Sequence, residues 1–432
     1  MKGAAFLAGV MSIGVLFAQD VPPGVLLLSR VKNHFKDELP RLENISCLET
    51  LERAQQQPKG RMQALDTVRL EVLFDGDKEL FASPGGRKFS AEHPVSYVGS
   101  GMIGDSIFAM YMKDILLSEP VSNTYKGEEE AGGRLLARYD YRLPLMWSGQ
   151  SIHLPEGSGR VGLHGSYWVD PKTYEVILLK LVADDIPPTL PITEMTTSIA
   201  FGRTRLGDGR VLMLPESAET HMTRFTGEIG NNRIEFTHCQ AFGAEAKLRF
   251  DAPDAAGQTP RFGVSSIDDT LRALPAGLTV AVKLRTQISG EMAVGALIDG
   301  VIAGDVSAKH KLMIRAGAPV RGRIRRLEHY ADPFPYFVVA LEFTEVEVDG
   351  IRYRFYADPL DVEPIPGVEP WLRTQEKQET TEFFDRARMT YQSRENVFLY
   401  DLPGVVSFFF KATKLDLPRG FRTVWKTRAL KP

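Results

Sequence analysis

Apolar and polar residues change period several times along this 432-residue chain, and each change marks an expected element. From Val25 to Leu39 the apolar positions Leu28, Val31, Phe35 and Leu39 recur near helical spacing, and Pro40 stops the run. This predicts an amphipathic helix that packs one stripe on something larger. A second short helix is expected through "CLETLERAQQQ", ending before Pro58.

From Asp66 the period becomes two. "TVRLEVLFDGDKELFAS" sets Asp75-Gly76 between two alternating runs, a hairpin signal. In "RLLARYDYRLPLMW" the residues Leu135, Ala137, Tyr139, Tyr141, Leu143, Leu145 and Trp147 fall on one face, and Arg134, Arg138, Asp140 and Arg142 on the other. That pattern predicts a strand buried on one side and wetted on the other. Further strands are read at "GRVGLHGSYWVD", "TYEVILLKLVAD", "TSIAFGRTRL", "GRVLMLPESAETHMTRF" and "NNRIEFTHCQAF", joined by tight turns with no helix between them. The expected arrangement is an antiparallel meander.

The composition turns small and polar around Asp251, which places a linker over 251–265 between a first domain (19–250) and a second (266–432). The second block is also read as β, with short glycine-punctuated strands and a hairpin at Asp349-Gly350, as in a small barrel. A polar arm beginning "EPWLRTQEKQETTEFF" interrupts it before two last strands about Pro418-Arg419-Gly420. The expected fold class is mainly β: a helix-lidded curved antiparallel sheet, an unclosed barrel, followed by a small β-barrel.

Composition adds location. Met1-Lys2 precedes an apolar run ending at Ala18, the layout of a secretory signal peptide (1–18) cut after Ala18. The run is shorter than the roughly 20 residues that span a bilayer, which disfavours an anchor. The mature chain is therefore expected in the periplasm or outside the cell. With a formal net charge of -3, bulk electrostatics point to no nucleic-acid partner. Cys47 and Cys239 read either as a disulfide or as two buried thiols that never meet.

Candidate chemistry is sparse. Gly99, Gly101 and Gly104 have the spacing G-x-G-x-x-G, but no parallel strand follows the helix expected after Asp105 or Ser106, so no dinucleotide cofactor is expected. His153 and His164 lack metal-ligand spacing, and no metal site is expected. Ser29 and Lys32 match S-x-x-K by chance, and Asp75, Asp77 and Glu79 crowd a turn as solvated carboxylates. Arg321, Arg323 and Arg325 alternate on one strand near Arg315 and Arg326, as an anion site would require. The plainer reading pairs them with Glu342, Glu345 and Glu347. The remaining signal is the apolar face of Tyr139, Tyr141, Leu143 and Trp147, which lines a cavity for an apolar ligand if the helices close it loosely.

The motif "SYWVDPKTYEVILLKL" resembles the lipoprotein-carrier fold of bacterial periplasms (LolA/LppX-like), over roughly Val25 to Asp251. That resemblance implies an unclosed barrel lidded by helices around an apolar cavity. "LPRLENISCLETLER", "GSYWVDPKTYEV", "NRIEFTHCQAF" and "LPRGFRTVWKT" resemble a family of secreted proteins from soil bacteria, where the two Cys positions occur together. This implies a Cys47–Cys239 disulfide. Strict alternation puts Cys239 opposite Ile234 and Phe236, so for that pairing either the segment holding Cys47 reaches the other face or a bulge intervenes. The segment from "LPAGLTVAVKLRTQI" to "APVRGRI" is similar to the β-barrel of type IV secretion outer-membrane channel proteins.

The function expected is non-enzymatic carriage of an apolar ligand, such as a lipid, in the first domain. The alternatives are an adaptor docking on an envelope protein assembly through the second domain, and a hydrolase using His164.

Overall fold

Period-two alternation carries the chain into two large antiparallel sheets. The computed structural model describes residues 22–429 apart from 77, 87–88, 91–93, 99–102, 104–106, 132, 155–156, 243–270, 310, 332–333 and 372–403. The signal segment 1–18, the three motif glycines with Asp105 and Ser106, Asp77, the linker 251–265 and nearly all of the polar arm lie outside the described residues.

The first sheet opens with β1 (Ile45–Gln56), β2 (Gln63–Phe74), β3 (Glu79–Ala82), β4 (Ser122–Ala131) and β5 (Arg134–Leu143). A small hairpin, β6 (Ser151–Leu154) and β7 (Gly157–Arg160), leads on to β8 (Gly162–Val169) and β9 (Val176–Asp184). Long strands β10 (Ile192–Arg205), β11 (Val211–Arg224) and β12 (Ile229–Ala241) complete it. The spatial order is β3-β2-β1-β12-β11-β10-β9-β8-β5-β4, so the meander closes back when its last strand pairs with its first. Helices α1 (Pro23–Leu42) and α2 (Met110–Leu117) cover its inner face.

Two helical expectations are corrected. "CLETLERAQQQ" lies in β1, where Cys47, Leu51 and Arg53 are buried between β2 and β12. Ladder pairing on both sides overrides the weak helical spacing of its leucines. Pro40 does not stop α1 but sits in its last turn, where its missing N–H removes a single hydrogen bond. α2 starts at Met110 with Ala109 as N-cap, later than the sequence pattern implied.

The disulfide between Cys47 and Cys239 is present. Of the two routes to it, the bulge is the one present: opposite β12 the register steps from Ser46↔Gln240 to Leu48↔Thr237, and His238 takes φ 51°. The extra residue turns Cys239 to the inner face, beside Cys47.

The second half of the chain has β13 (Thr279–Leu284), β14 (Ile288–Ser289), β15 (Leu297–Ile302), β16 (Val306–Ala308), β17 (Lys311–Ile314) and β18 (Pro319–Tyr330). It continues through β19 (Tyr336–Val348), β20 (Ile351–Arg354), β21 (Ala357–Val362) and β22 (Val368–Trp371). The last strands are β23 (Val405–Phe410), β24 (Asp416–Leu417) and β25 (Arg422–Thr427). The second sheet runs in the order β21-β25-β13-β15-β18-β19-β23-β22, with β20 on β19, and forms a nearly closed barrel, while β14 with β24 and β16 with β17 are separate two-stranded ribbons. Trp425 fills its centre edge-on to Phe343 and Phe355, with its indole N–H donated to Thr423 at 2.8 Å.

The two sheets touch along β2 and β18. Val294 accepts from the Arg69 amide (3.1 Å) and donates to Thr67 (2.8 Å), while Gly295 donates to Ile324 (2.8 Å). Gly295 has φ +90°, and a Cβ there would stand 2.7 Å from the Arg69 carbonyl oxygen, so only glycine allows this approach. Beside it lies a buried ionic cluster. Arg53 holds Asp66 by two hydrogen bonds of 2.6 and 2.5 Å. Arg326 Nη2 donates to Glu328 at 2.8 Å, Tyr330 hydroxyl donates to the same carboxylate at 2.8 Å, and Arg53 stands 3.9 Å away.

Burial alone pushes the Glu328 carboxyl up. Arg326, Arg53 and the Tyr330 hydroxyl more than offset this, leaving it below the ordinary glutamate value. A depressed folded-state value stabilises the fold above the unfolded pKa, and that contribution is lost as pH falls through the folded one. Urea unfolding from pH 7 to 3 is therefore expected to show stability falling below about pH 4, with Glu328→Gln flattening that limb. At pH 7 Arg53→Ala is expected to cost about 3–5 kcal/mol, because Asp66 is left buried without its partner.

Candidate functional site

The inner face of β5 carries Tyr139, Tyr141 and Leu143, all buried as the alternation predicts. Tyr139 stacks on Tyr167 of β8 at 5.3 Å between centroids, and Tyr141 lies 6.1 Å from the same ring. Each hydroxyl finds an acceptor. Tyr139 donates to the Gly24 carbonyl of α1 at 2.7 Å, Tyr167 to Asn123 Oδ1 at 2.8 Å, and Tyr141 to the Lys180 carbonyl at 3.3 Å. Burial, with a smaller contribution from Tyr125, pushes the Tyr139 phenol up to about 12. Burial also raises Tyr141 and Tyr167, so all three stay protonated and can donate.

Of the three, Tyr139 is the one whose hydroxyl reaches α1, and the other two tie β4 and β9 to the same face. Trp147 does not share their face: it is 60% exposed, and Met146 is 77% exposed. Pro144 ends the strand by removing a ladder donor, and a single 3₁₀ turn over Leu145–Trp147 swings the tip outward. Leu135, at the other end of the strand, is exposed as well.

The open space beneath α1 lies further along the helix. Val31, Phe35 and Leu42 face Phe108, Met112, Phe201 and Met213 across a slot of about 40 Å³. This holds a few water molecules, whereas pockets that take small ligands run to about 300–1,000 Å³. In this position of α1 the slot is nearly filled by the protein's own side chains.

The attachment of α1 is slight for its length. Of its 20 residues only Gly24, Val31 and Leu42 are buried. Besides the Tyr139 hydroxyl, Arg30 donates to the Tyr174 hydroxyl at 3.2 Å, and Arg210 donates to the Arg41 carbonyl at 3.4 Å. Tyr174 belongs to the "WVDPKTYEV" motif. Its turn is set by Asp170, whose carboxylate accepts from the Lys172 amide at 2.8 Å and whose carbonyl accepts from the Tyr174 amide at 2.8 Å. The motif was visible in the sequence, but the residue that reaches the lid could not be told from its neighbours.

The other sequence candidates separate. Nδ1 of His164 lies 2.9 Å from Asp184 on the outer face. Ser166, two residues on, donates to Asp140 at 2.7 Å, an acceptor outside that pair, so no linked Ser-His-Asp relay forms. The three arginines do not form one anion-binding face. Bulges between Arg321 and Gly322 and between Ile324 and Arg326 break the alternation. Arg323 is buried on the Gly295 carbonyl at 2.9 Å, Arg325 pairs with Glu342 at 2.6 Å, and Arg321 stays outside near Glu345. No group of His, Cys, Asp and Glu among the described residues has the geometry to hold a metal, and no described helix is long and apolar enough to cross a membrane.

A second cavity was not foreseen. A cleft of about 960 Å³ lies between the sheets, lined by Glu52, Asn231 and Arg233 on one side and Glu291, His329 and Lys414 on the other.

No protein-family profile matches the chain, and no curated protein matches it. Solved structures similar to it include an outer membrane lipoprotein-sorting domain from Vibrio parahaemolyticus (12% identity, 51% of this chain and 95% of that one, TM-score 0.27). A LolA superfamily protein from Nitrosomonas europaea is similar at 8% identity, over 50% of this chain and 96% of that one, with a TM-score of 0.26. ComB10 of the Com type IV secretion system of Helicobacter pylori matches at 9% identity, over 36% of this chain and 88% of that one, with a TM-score of 0.20. They include the two kinds of protein that the sequence motifs resemble, and scores at this level carry no argument about activity or ligand.

If Tyr139 anchors the lid, Tyr139→Phe removes one hydrogen bond and leaves the ring stack in place. The amides of α1 are expected to exchange several-fold faster with solvent deuterium, for a loss of about 1 kcal/mol, while those of β10 and β11 keep their rates.

Proposed function

We propose that this is an exported cell-envelope protein that carries an apolar ligand of the acyl-chain class on the inner face of its first sheet, with α1 as a lid that lifts to admit it. The observation that carries this reading is an apolar slot under a 20-residue helix of which only three residues are buried. Export is supported by the signal-like first 18 residues and by the disulfide, which persists in oxidising compartments.

Magnitudes decide whether the lid can move. Three hydrogen bonds pin it, each contributing about 1 kcal/mol. Exposing Val31, Leu42 and its half-buried apolar neighbours costs roughly 6–8 kcal/mol more. Burying an acyl chain of about sixteen carbons at ~0.8 kcal/mol per CH₂ gives roughly 13 kcal/mol, enough to offset both. Phe108, Met112, Phe201 and Met213 form the seat, and unbranched methionines re-pack easily around a chain of variable shape. Tyr139 then acts as the hinge anchor, with Tyr141 and Leu143 buried on the same face of its strand, while Trp147 stands apart from the slot.

The test is titration of the purified protein with a fluorescent fatty acid, together with mass spectrometry of its organic extract. Wild type is expected to show saturable uptake. Met213→Phe, which fills the slot, is expected to lower affinity at least tenfold with little change in thermal midpoint. A wild-type protein with no extractable lipid and no saturable uptake overturns the proposal.

A further inference from the structure

We propose that the cleft between the two sheets is a second binding site, one that takes a cationic hydrogen-bond donor: an alkylammonium or guanidinium group borne by a small amine or a basic peptide segment. At about 960 Å³ the cleft is at the upper end of the range for small-ligand pockets, and it is independent of the slot beneath α1.

Its lining selects the sign of the charge. Five carboxylates (Glu52, Asp66, Glu219, Glu291 and Asp416) face it, against the cations of Arg53, Arg233 and Lys414. Arg53 and Asp66 are spent on each other. Asp416 accepts from Gln287 at 2.6 Å, and Arg233 lies 3.4 Å from Glu235. Glu52 and Glu291 remain exposed at the walls. An anion entering here meets more carboxylate than cation.

Acidity alone would describe any solvated surface. Two further features mark a built site. Asn231 and His329 are half-buried in the cleft wall, and Asn231 Oδ1 and His329 Nε2 have no hydrogen-bond partner among the described residues, although polar atoms so placed are nearly always paired. The Asn231 amide nitrogen lies 3.5 Å from Glu219, which leaves the oxygen as an acceptor waiting for a donor. His329 also stacks on Phe337, 4.5 Å between centroids and 25° between planes. Desolvation lowers the His329 titration, so the imidazole is neutral at neutral pH and the pair offers an uncharged aromatic floor. A planar cation gains from such a face, from the carboxylates and from the unfilled Asn231 oxygen together.

The experiment is calorimetric titration of the full chain at low salt with n-butylguanidinium, with a tetra-arginine peptide, and with n-butylurea as the uncharged isostere. Saturable binding of a cation at one site, weakened by added salt and absent for n-butylurea, is expected. Glu52→Gln with Glu291→Gln, both exposed and so tolerated by the fold, is expected to lower affinity at least tenfold, and Asn231→Leu to lower it separately. Comparable affinity for the two cations identifies a small amine as the natural ligand. Tetra-arginine binding more than a hundredfold tighter identifies a peptide. No saturable binding of either cation, or binding undiminished by the double substitution, overturns the site.

Discussion

Four ionised side chains sealed between two β-sheets hold this molecule's geometry. Arg53 and Asp66 come from β1 and β2, and Arg326 and Glu328 from β18, with the Tyr330 hydroxyl completing the set. The set is charge-neutral, and each carboxylate is matched by a guanidinium. Buried ions are costly to desolvate, so such a cluster adds little net stability over an apolar replacement; what it adds is intolerance of misalignment. A shift of β18 along β2 strands a charge in a dry interior, whereas the adjoining apolar contacts of Leu65 with Tyr330, Tyr336, Val338 and Phe409 would tolerate sliding. The cleft owes its shape to the same lock, because Arg53 and Asp66 belong to its lining.

The two sheets use their aromatic residues in opposite ways. In the barrel, Trp425, Phe343, Phe355, Phe408 and Phe421 interlock at the centre, and any displacement opens a void that nothing refills. In the first sheet the rings are tyrosines that pack against their own strands and spend their hydroxyls as tethers. Tyr139 fixes the start of α1, while the rest of the helix rests on flexible Met112 and Met213 and on Phe201. One sheet is packed solid at its centre, and the other keeps a narrow slot beneath α1.

Much of this was legible from period and turn chemistry. The long strands, the Asp75-Gly76 and Asp349-Gly350 hairpins and a bulge as one of two routes to the Cys239 pairing all follow from local rules. What failed did so for lack of long-range information. "CLETLERAQQQ" has leucines at helical spacing, and only its partners β2 and β12 make it a strand. Arg326 and Glu328, two apart on one strand, look like a solvated face until β2 is laid over them. The Arg321, Arg323 and Arg325 ladder failed because two bulges, invisible in composition, turn its members in different directions. Trp147 failed because a proline three residues earlier had already ended the strand. The cleft was beyond reach: its walls come from segments more than 300 residues apart.

The "WVDPKTYEV" motif carries the resemblance to lipoprotein carriers, and its geometry gives it a physical purpose. Asp170 folds the chain into a tight turn, and Tyr174 is forced to φ 65°, a left-handed conformation that is an outlier for a bulky side chain. Such strain costs on the order of 1–3 kcal/mol and persists only where surroundings over-determine it. Here Arg30 supplies both a hydrogen bond to the Tyr174 hydroxyl and a cation–π contact, 5.7 Å from the ring centroid. The hairpin itself fixes the turn, since the Asp170 carbonyl accepts from the Tyr174 amide and the Asp170 amide donates to Glu175, so the phenol is presented to α1 without help from the helix. The turn is therefore a pre-set rest for α1, strained by the hairpin and not by the helix, and it reaches a 20-residue helix with three buried residues through one hydrogen bond and one cation–π contact.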